Sequence, residues 1–169
     1  MKAMLAIVFS MFVLVSACTS EGSSESVPDV GSTSVPSVDS TTAADLQARA
    51  FMRACRDVIC DGAPILAPDS TSDSVRIALL EHTDEVQYLS AAQIEAMYSS
   101  EGRFEDGATL IGVESVATTE RADVRGVNVS ISRGLMDFVA RTYLFRWDGT
   151  EWVDTSADAV DVTVTSSVS

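Results

Sequence analysis

His82 is the only histidine in the 169-residue chain. It stands in Glu81-His82-Thr83-Asp84-Glu85, where an imidazole near a carboxylate could pair with Asp84 for acid–base work. The same five residues read more simply as a solvated helix end, with a histidine at the negative pole of the dipole. No G-x-S-x-G, H-E-x-x-H or glycine-rich phosphate loop occurs, so no serine, zinc or nucleotide chemistry is marked. Asp69-Ser70-Thr71-Ser72-Asp73 offers oxygens that a calcium ion could use. It lacks the acid spacing and central glycine of an EF-hand loop, and a helix cap explains it more simply. No cofactor and no metal is implied, and the residues point away from an enzyme.

A second set of candidates lies on one strand. Val139, Arg141, Tyr143, Phe145 and Trp147 alternate with Phe138, Ala140, Thr142 and Leu144. If the second set packs inward, Arg141, Tyr143 and Trp147 form an exposed surface of the residue types that dominate binding hot spots. If the first set packs inward, the aromatics are core and Arg141 marks its rim.

The cysteines are Cys18, Cys55 and Cys60. The first closes a leader. Lys2 is a one-charge start, and Met4 to Val15 is an apolar run broken only by Ser10, too short to span a bilayer but right for a signal segment. The run ends Val15-Ser16-Ala17-Cys18. This resembles the lipobox of bacterial lipoproteins, a branched apolar residue and two small ones before a cysteine. The resemblance implies cleavage after Ala17, lipid on the Cys18 thiol, and a body tethered to a membrane in the extracytoplasmic cell envelope. Several acyl chains anchor firmly, since each buried methylene contributes about 0.8 kcal/mol.

An oxidising compartment suits a disulfide between Cys55 and Cys60. Five residues of continuous helix would hold their Cα atoms about 8 Å apart or more, beyond bridging range. The helix must therefore stop or tighten between them, as Gly62 and Pro64 suggest. A lone C-x4-C with no nearby histidine is a poor metal site.

Charge sharpens the organisation. The net charge is −14, from 25 acids against 11 basic residues, and Lys2 is the only lysine. Without residues 1–17 it is −15, with ten arginines. Such an excess argues against nucleic acid as a partner. Residues 18–40 are serine-rich, acidic and without period, which predicts a disordered linker after the lipidated cysteine. Residues 41–169 read as a single domain.

In that domain, Thr42-Ala43-Ala44-Asp45 opens a helix over 43–58. Residues 63–72 read as a loop, 73–82 as a second helix and 86–89 as a short strand. Ser90-Ala91-Ala92-Gln93 is a capping box for a third helix over 91–99. After Gly107 the period becomes two, predicting strands over 109–117, 125–132, 138–147, 152–155 and 160–165. Asp148-Gly149 marks a tight hairpin turn between the third and fourth of these. The expected class is α+β, N-terminal helices on one face of a C-terminal antiparallel sheet of about five strands. That order resembles the ketosteroid-isomerase-like cone fold across about 42–155, which implies a curved sheet around a pocket.

The sequence thus predicts a membrane-anchored lipoprotein whose domain binds a small ligand or an envelope protein. The alternative is a small-molecule enzyme or sequestering protein that uses a cone-like cavity. A filled core would favour the first, and a cavity lined by converging polar groups the second.

Overall fold

The computed structural model describes residues 34–58 and 62–155. The first helix, α1 (Ser40–Asp57), begins earlier than expected. Its cap is Asp39, whose carboxylate accepts from the Thr42 N–H at 2.7 Å. That bond holds the Asp39 carboxyl below its ordinary value. Val35 and Val38, counted with the linker from sequence, pack against the core, so ordered packing starts before residue 41.

Along α1, Leu46, Phe51 and four alanines are buried. The alanines let neighbours approach closely. The helix lies against β3 (Thr109–Thr118) and β4 (Val124–Gly134), and α2 (Asp73–Leu80) packs beside it through Val75 and Leu79. The capping box of α3 (Ala91–Ala96) forms as expected: Ser90 Oγ accepts from the Gln93 N–H, and Gln93 Oε1 accepts from the Ser90 N–H at 2.9 Å.

The fold is α+β, with helices preceding most of a six-stranded sheet in the order β2-β1-β3-β4-β5-β6. The sheet is mixed where an antiparallel one was expected. β1 (Ile65–Pro68) pairs in parallel with β2 (Val86–Leu89) on one side and with β3 on the other. This strand falls in the stretch read as a loop. The reason is burial on both sides: Ile65 and Ala67 face α1, whereas Leu66 faces a second cluster with Phe104 and Ala108. A strand buried on both faces carries no alternation to read.

Ile94 and Met97 pack against that second cluster, so α3 lies on the face away from α1. The helices therefore do not share one face. The remaining strands follow the alternating segments closely: β3, β4, β5 (Asp137–Trp147) and β6 (Trp152–Asp154) form consecutive antiparallel pairs. Gly149 makes the last turn at φ +110°, where Asp148 accepts from Thr150 N at 2.8 Å and Glu151 N at 2.9 Å. The expected strand over 160–165 lies outside the described residues.

The space between α1 and the sheet is filled by Leu46, Phe51, Ile111, Val127, Val129, Tyr143 and Phe145, all at most 3% exposed. The parallel pairings and this filled interior both differ from an antiparallel cone with an open pocket.

Candidate functional site

The alternation of β5 resolves the question of its two faces. Tyr143 and Phe145 point at α1 and are buried. The Arg49 guanidinium lies 5.1 Å from the Phe145 ring centre. Trp147 tilts against Trp152 with ring centres 5.7 Å apart. The face bearing Arg141, Tyr143 and Trp147 is thus core and not a recognition surface, because α1 needs an apolar floor and this face supplies it.

Arg141 sits at the rim of that floor, in a cluster around Asp57 at the end of α1. Asp57 Oδ2 accepts from Arg141 NH1 at 3.2 Å and from the Tyr143 hydroxyl at 3.0 Å. Its Oδ1 accepts from Arg53 Nε at 3.1 Å, and Arg53 NH1 also lies 3.7 Å from Asp154. Burial pushes the Tyr143 phenol up to about 12, and the Asp57 charge adds to the rise while Arg141 opposes it. This cluster ties the last turn of α1 to β5 and β6. Its charges pair with one another, so its role is structural.

His82 and Asp84 are both exposed, just after α2, and no hydrogen bond or ion pair joins them. His82 instead borders a groove of about 390 Å³ with Arg49, Met52, Arg56 and Asp154. No serine lies in that lining, and the acid there, Asp154, is paired with Arg53. Among the described residues no three His, Cys, Asp or Glu side chains gather as a metal site. In the 69–73 loop, Arg76 donates to the carbonyls of Asp69 and Thr71, so a guanidinium already occupies two backbone oxygens of the loop. Cys55 is buried on α1. Cys60 and Cys18 lie outside the described residues.

Another depression was not marked by any motif. It measures about 420 Å³ and lies at the far end of the sheet, on the face away from α1. Val124 and Leu144 are its apolar lining; Arg121, Arg146, Glu120 and the hydroxyls of Thr119 and Thr155 surround them. Strand register brings Val124 opposite Arg146, which is why two distant segments meet here.

The turn that forms one wall is braced. The Thr119 hydroxyl donates toward the Arg121 carbonyl at 3.0 Å and the Val124 carbonyl at 3.2 Å. Arg121 grips Asp123 with both arms of the guanidinium, at 3.0 and 2.6 Å. That grip holds the Asp123 carboxyl below its ordinary value and the Arg121 guanidinium above its own. Arg146 differs: it is exposed and forms no ion pair with a described residue. The pocket therefore combines an apolar lining, the Arg121 charge paired with Asp123, the Glu120 carboxylate, and the Arg146 charge, whose field also reaches Asp123. Its size falls within the range of small-molecule sites. Sequence reading missed it because Arg121 and Arg146 become neighbours only through hairpin register.

Neither a protein-family model, nor a curated protein, nor a solved structure matches the chain. Among the described residues no helix is long and apolar enough to cross a membrane.

Proposed function

We propose that the chain is a lipid-anchored lipoprotein of the cell envelope whose domain binds a small ligand with an apolar body and one anionic group. The observation behind the ligand class is the pocket of Val124 and Leu144 with Arg146, which forms no ion pair with a described residue, at its edge. Binding is favoured over catalysis because His82 and Asp84 do not meet and the interior beneath α1 is filled. The anchoring rests on the sequence Val15-Ser16-Ala17-Cys18 alone.

Physics gives the two halves of the site different tasks. Apolar burial supplies affinity without direction, at roughly 25 cal/mol per Å². The guanidinium orients the anion and selects for it, because a charge-assisted hydrogen bond is the stronger kind. A strongly acidic body repels free anions at long range, so an anion without an apolar portion gains little here.

Octanoate and octanol test the assignment as paired probes, by calorimetric titration against wild type and Arg146→Ala. Octanoate is expected to bind about tenfold or more tightly than octanol, as a hydrogen bond to a charged group implies. Arg146→Ala should bring the two probes level. Equal affinities in the wild type, or no saturable binding of either probe, refute the ligand class.

A further inference from the structure

The groove bordered by His82 carries a charge of opposite sign to the chain as a whole. Its lining comes from three places: Arg49, Met52 and Arg56 on α1, His82 on the segment after α2, and Asp154 on β6. Spacings of three and four residues put Arg49, Met52 and Arg56 on one stripe of the helix. Two guanidinium groups therefore flank a short apolar floor, and another element brings an imidazole to them.

The basic groups are not equally engaged. Arg49 NH1 donates to the Trp152 carbonyl at 2.7 Å and lies 3.6 Å from Asp45, which holds that guanidinium in place. Arg56 and His82 are exposed, and neither side chain forms a hydrogen bond or ion pair with a described residue. Around the groove Arg49, Arg53, Arg56 and Arg141 stand against Asp45, Asp57 and Asp154. Four charges against three leave +1, and +2 once His82 is protonated. The whole chain carries −14.

We propose that this groove is a second anion site, separate from the Arg146 pocket. It takes a small, doubly charged oxyanion of the sulfate or phosphate type, and it binds that ion more tightly when His82 is protonated. Arg56 offers a planar fork of donors suited to such oxygens. An imidazole changes charge between about pH 5 and about pH 8, so proton uptake and anion uptake assist each other. The two sites share no lining residue, and a bare anion lacks the apolar body that the Arg146 pocket selects.

The charges around His82 permit this coupling. Arg49 and Arg56 face it from α1 and Asp154 from β6, and Arg53 lies 3.7 Å from that acid. On its own segment, Glu81 borders a different groove with Ser40 and Asp45, while Asp84 and Glu85 are exposed outside the lining. A free ion suits the groove better than a lipid headgroup. Met52 is the only apolar side chain among the described lining residues, and a body this acidic is repelled by an anionic bilayer surface.

Inorganic sulfate is the probe, because its charge stays constant across this pH range. His82 is the only histidine, so its ring signals report on this groove alone in an NMR titration of the full chain at fixed ionic strength. Sulfate is expected to shift them saturably, with an affinity about fivefold tighter at about pH 5.5 than at about pH 8. Arg56→Gln should weaken binding about fivefold or more at the lower pH, whereas Arg103→Gln should change it by less than about twofold. The second variant removes the same charge from an exposed position outside the groove. His82→Gln, followed by calorimetry, should bind sulfate equally at both pH values. Dihexanoyl phosphatidylglycerol, dissolved as single molecules, is the second titrant and should bind more weakly than sulfate. No saturable shift, equal losses from the two arginine variants, or a pH dependence that survives in His82→Gln overturns the proposal. Tighter binding of the phosphatidylglycerol overturns the choice of a free ion and gives the groove to a lipid headgroup.

Discussion

The phenol of Tyr143 tests the covered face of β5 most directly. Its hydroxyl donates to Asp57 at 3.0 Å. Burial raises it from 10.0 to about 12. Below pH 10 the folded and unfolded chains both keep the proton, and the contribution is fully present. Between pH 10 and about 12 the unfolded chain releases it while the folded chain holds it, so stability falls with rising pH. At about 1.36 kcal/mol per unit, a gap of about two units sets a ceiling near ~2.7 kcal/mol. Water reaches the rim through Arg141, and screening lowers the expected loss to about 1–2 kcal/mol.

The assay is urea unfolding of wild type and Tyr143→Phe at a series of pH values from about 8 to about 12, with tyrosinate absorbance recorded in parallel. The variant should start about 1 kcal/mol less stable, from the lost hydrogen bond. Its stability should then decline less steeply above pH 10 than that of the wild type. Its absorbance should lack the latest-titrating phenol. Tyr88, also raised by burial, contributes equally to both curves. Parallel declines in the two proteins would refute the reasoning and place the phenol in contact with water.

Two further outcomes are expected. Gly134→Ala should cost about 1–3 kcal/mol in chemical denaturation. A Cβ there would meet the Gly102 carbonyl oxygen at 2.5 Å and the Arg103 Cα at 3.0 Å, both backbone atoms that cannot swing aside. In cells, globomycin should cause an unprocessed precursor to accumulate, seen as a larger band on immunoblots. Normal processing under the drug would remove the lipidated anchor from the functional proposal.

What could be read beforehand follows from how strongly each feature is encoded locally. Ser90 and Gln93 lie three apart and satisfy each other, so the start of α3 was visible in four letters. The strands after Gly107 each bury one side, and that alternation survives in sequence. β1 was hidden because Leu66 is buried on one face and Ile65 and Ala67 on the other. Asp39 was missed as a cap because it follows a serine-rich stretch that has no helical period of its own. Both readings of the β5 faces stayed open in sequence, with the core reading favoured, since only the position of α1 separates them. The pocket was least legible, because Arg146 gains its meaning from Val124 across a strand pair.

The placement of β1 also has a kinetic consequence. β3 to β6 follow one another as hairpins, each pairing needing only a short turn. β1 must instead find Thr109 from Ile65, across a stretch of chain that includes two helices and β2. Closing so long a loop costs entropy before any contact rewards it. As the chain emerges N-terminus first, Ile65 and Leu66 appear well before the strand that will shelter them. The meander should therefore assemble quickly, and insertion of β1 between β2 and β3 should limit the rate. During that interval Ile65, Leu66 and Ala67, all buried in the folded sheet, lack the strand that covers them, which makes the route to the folded state, more than the folded state itself, the stage that needs protection from aggregation.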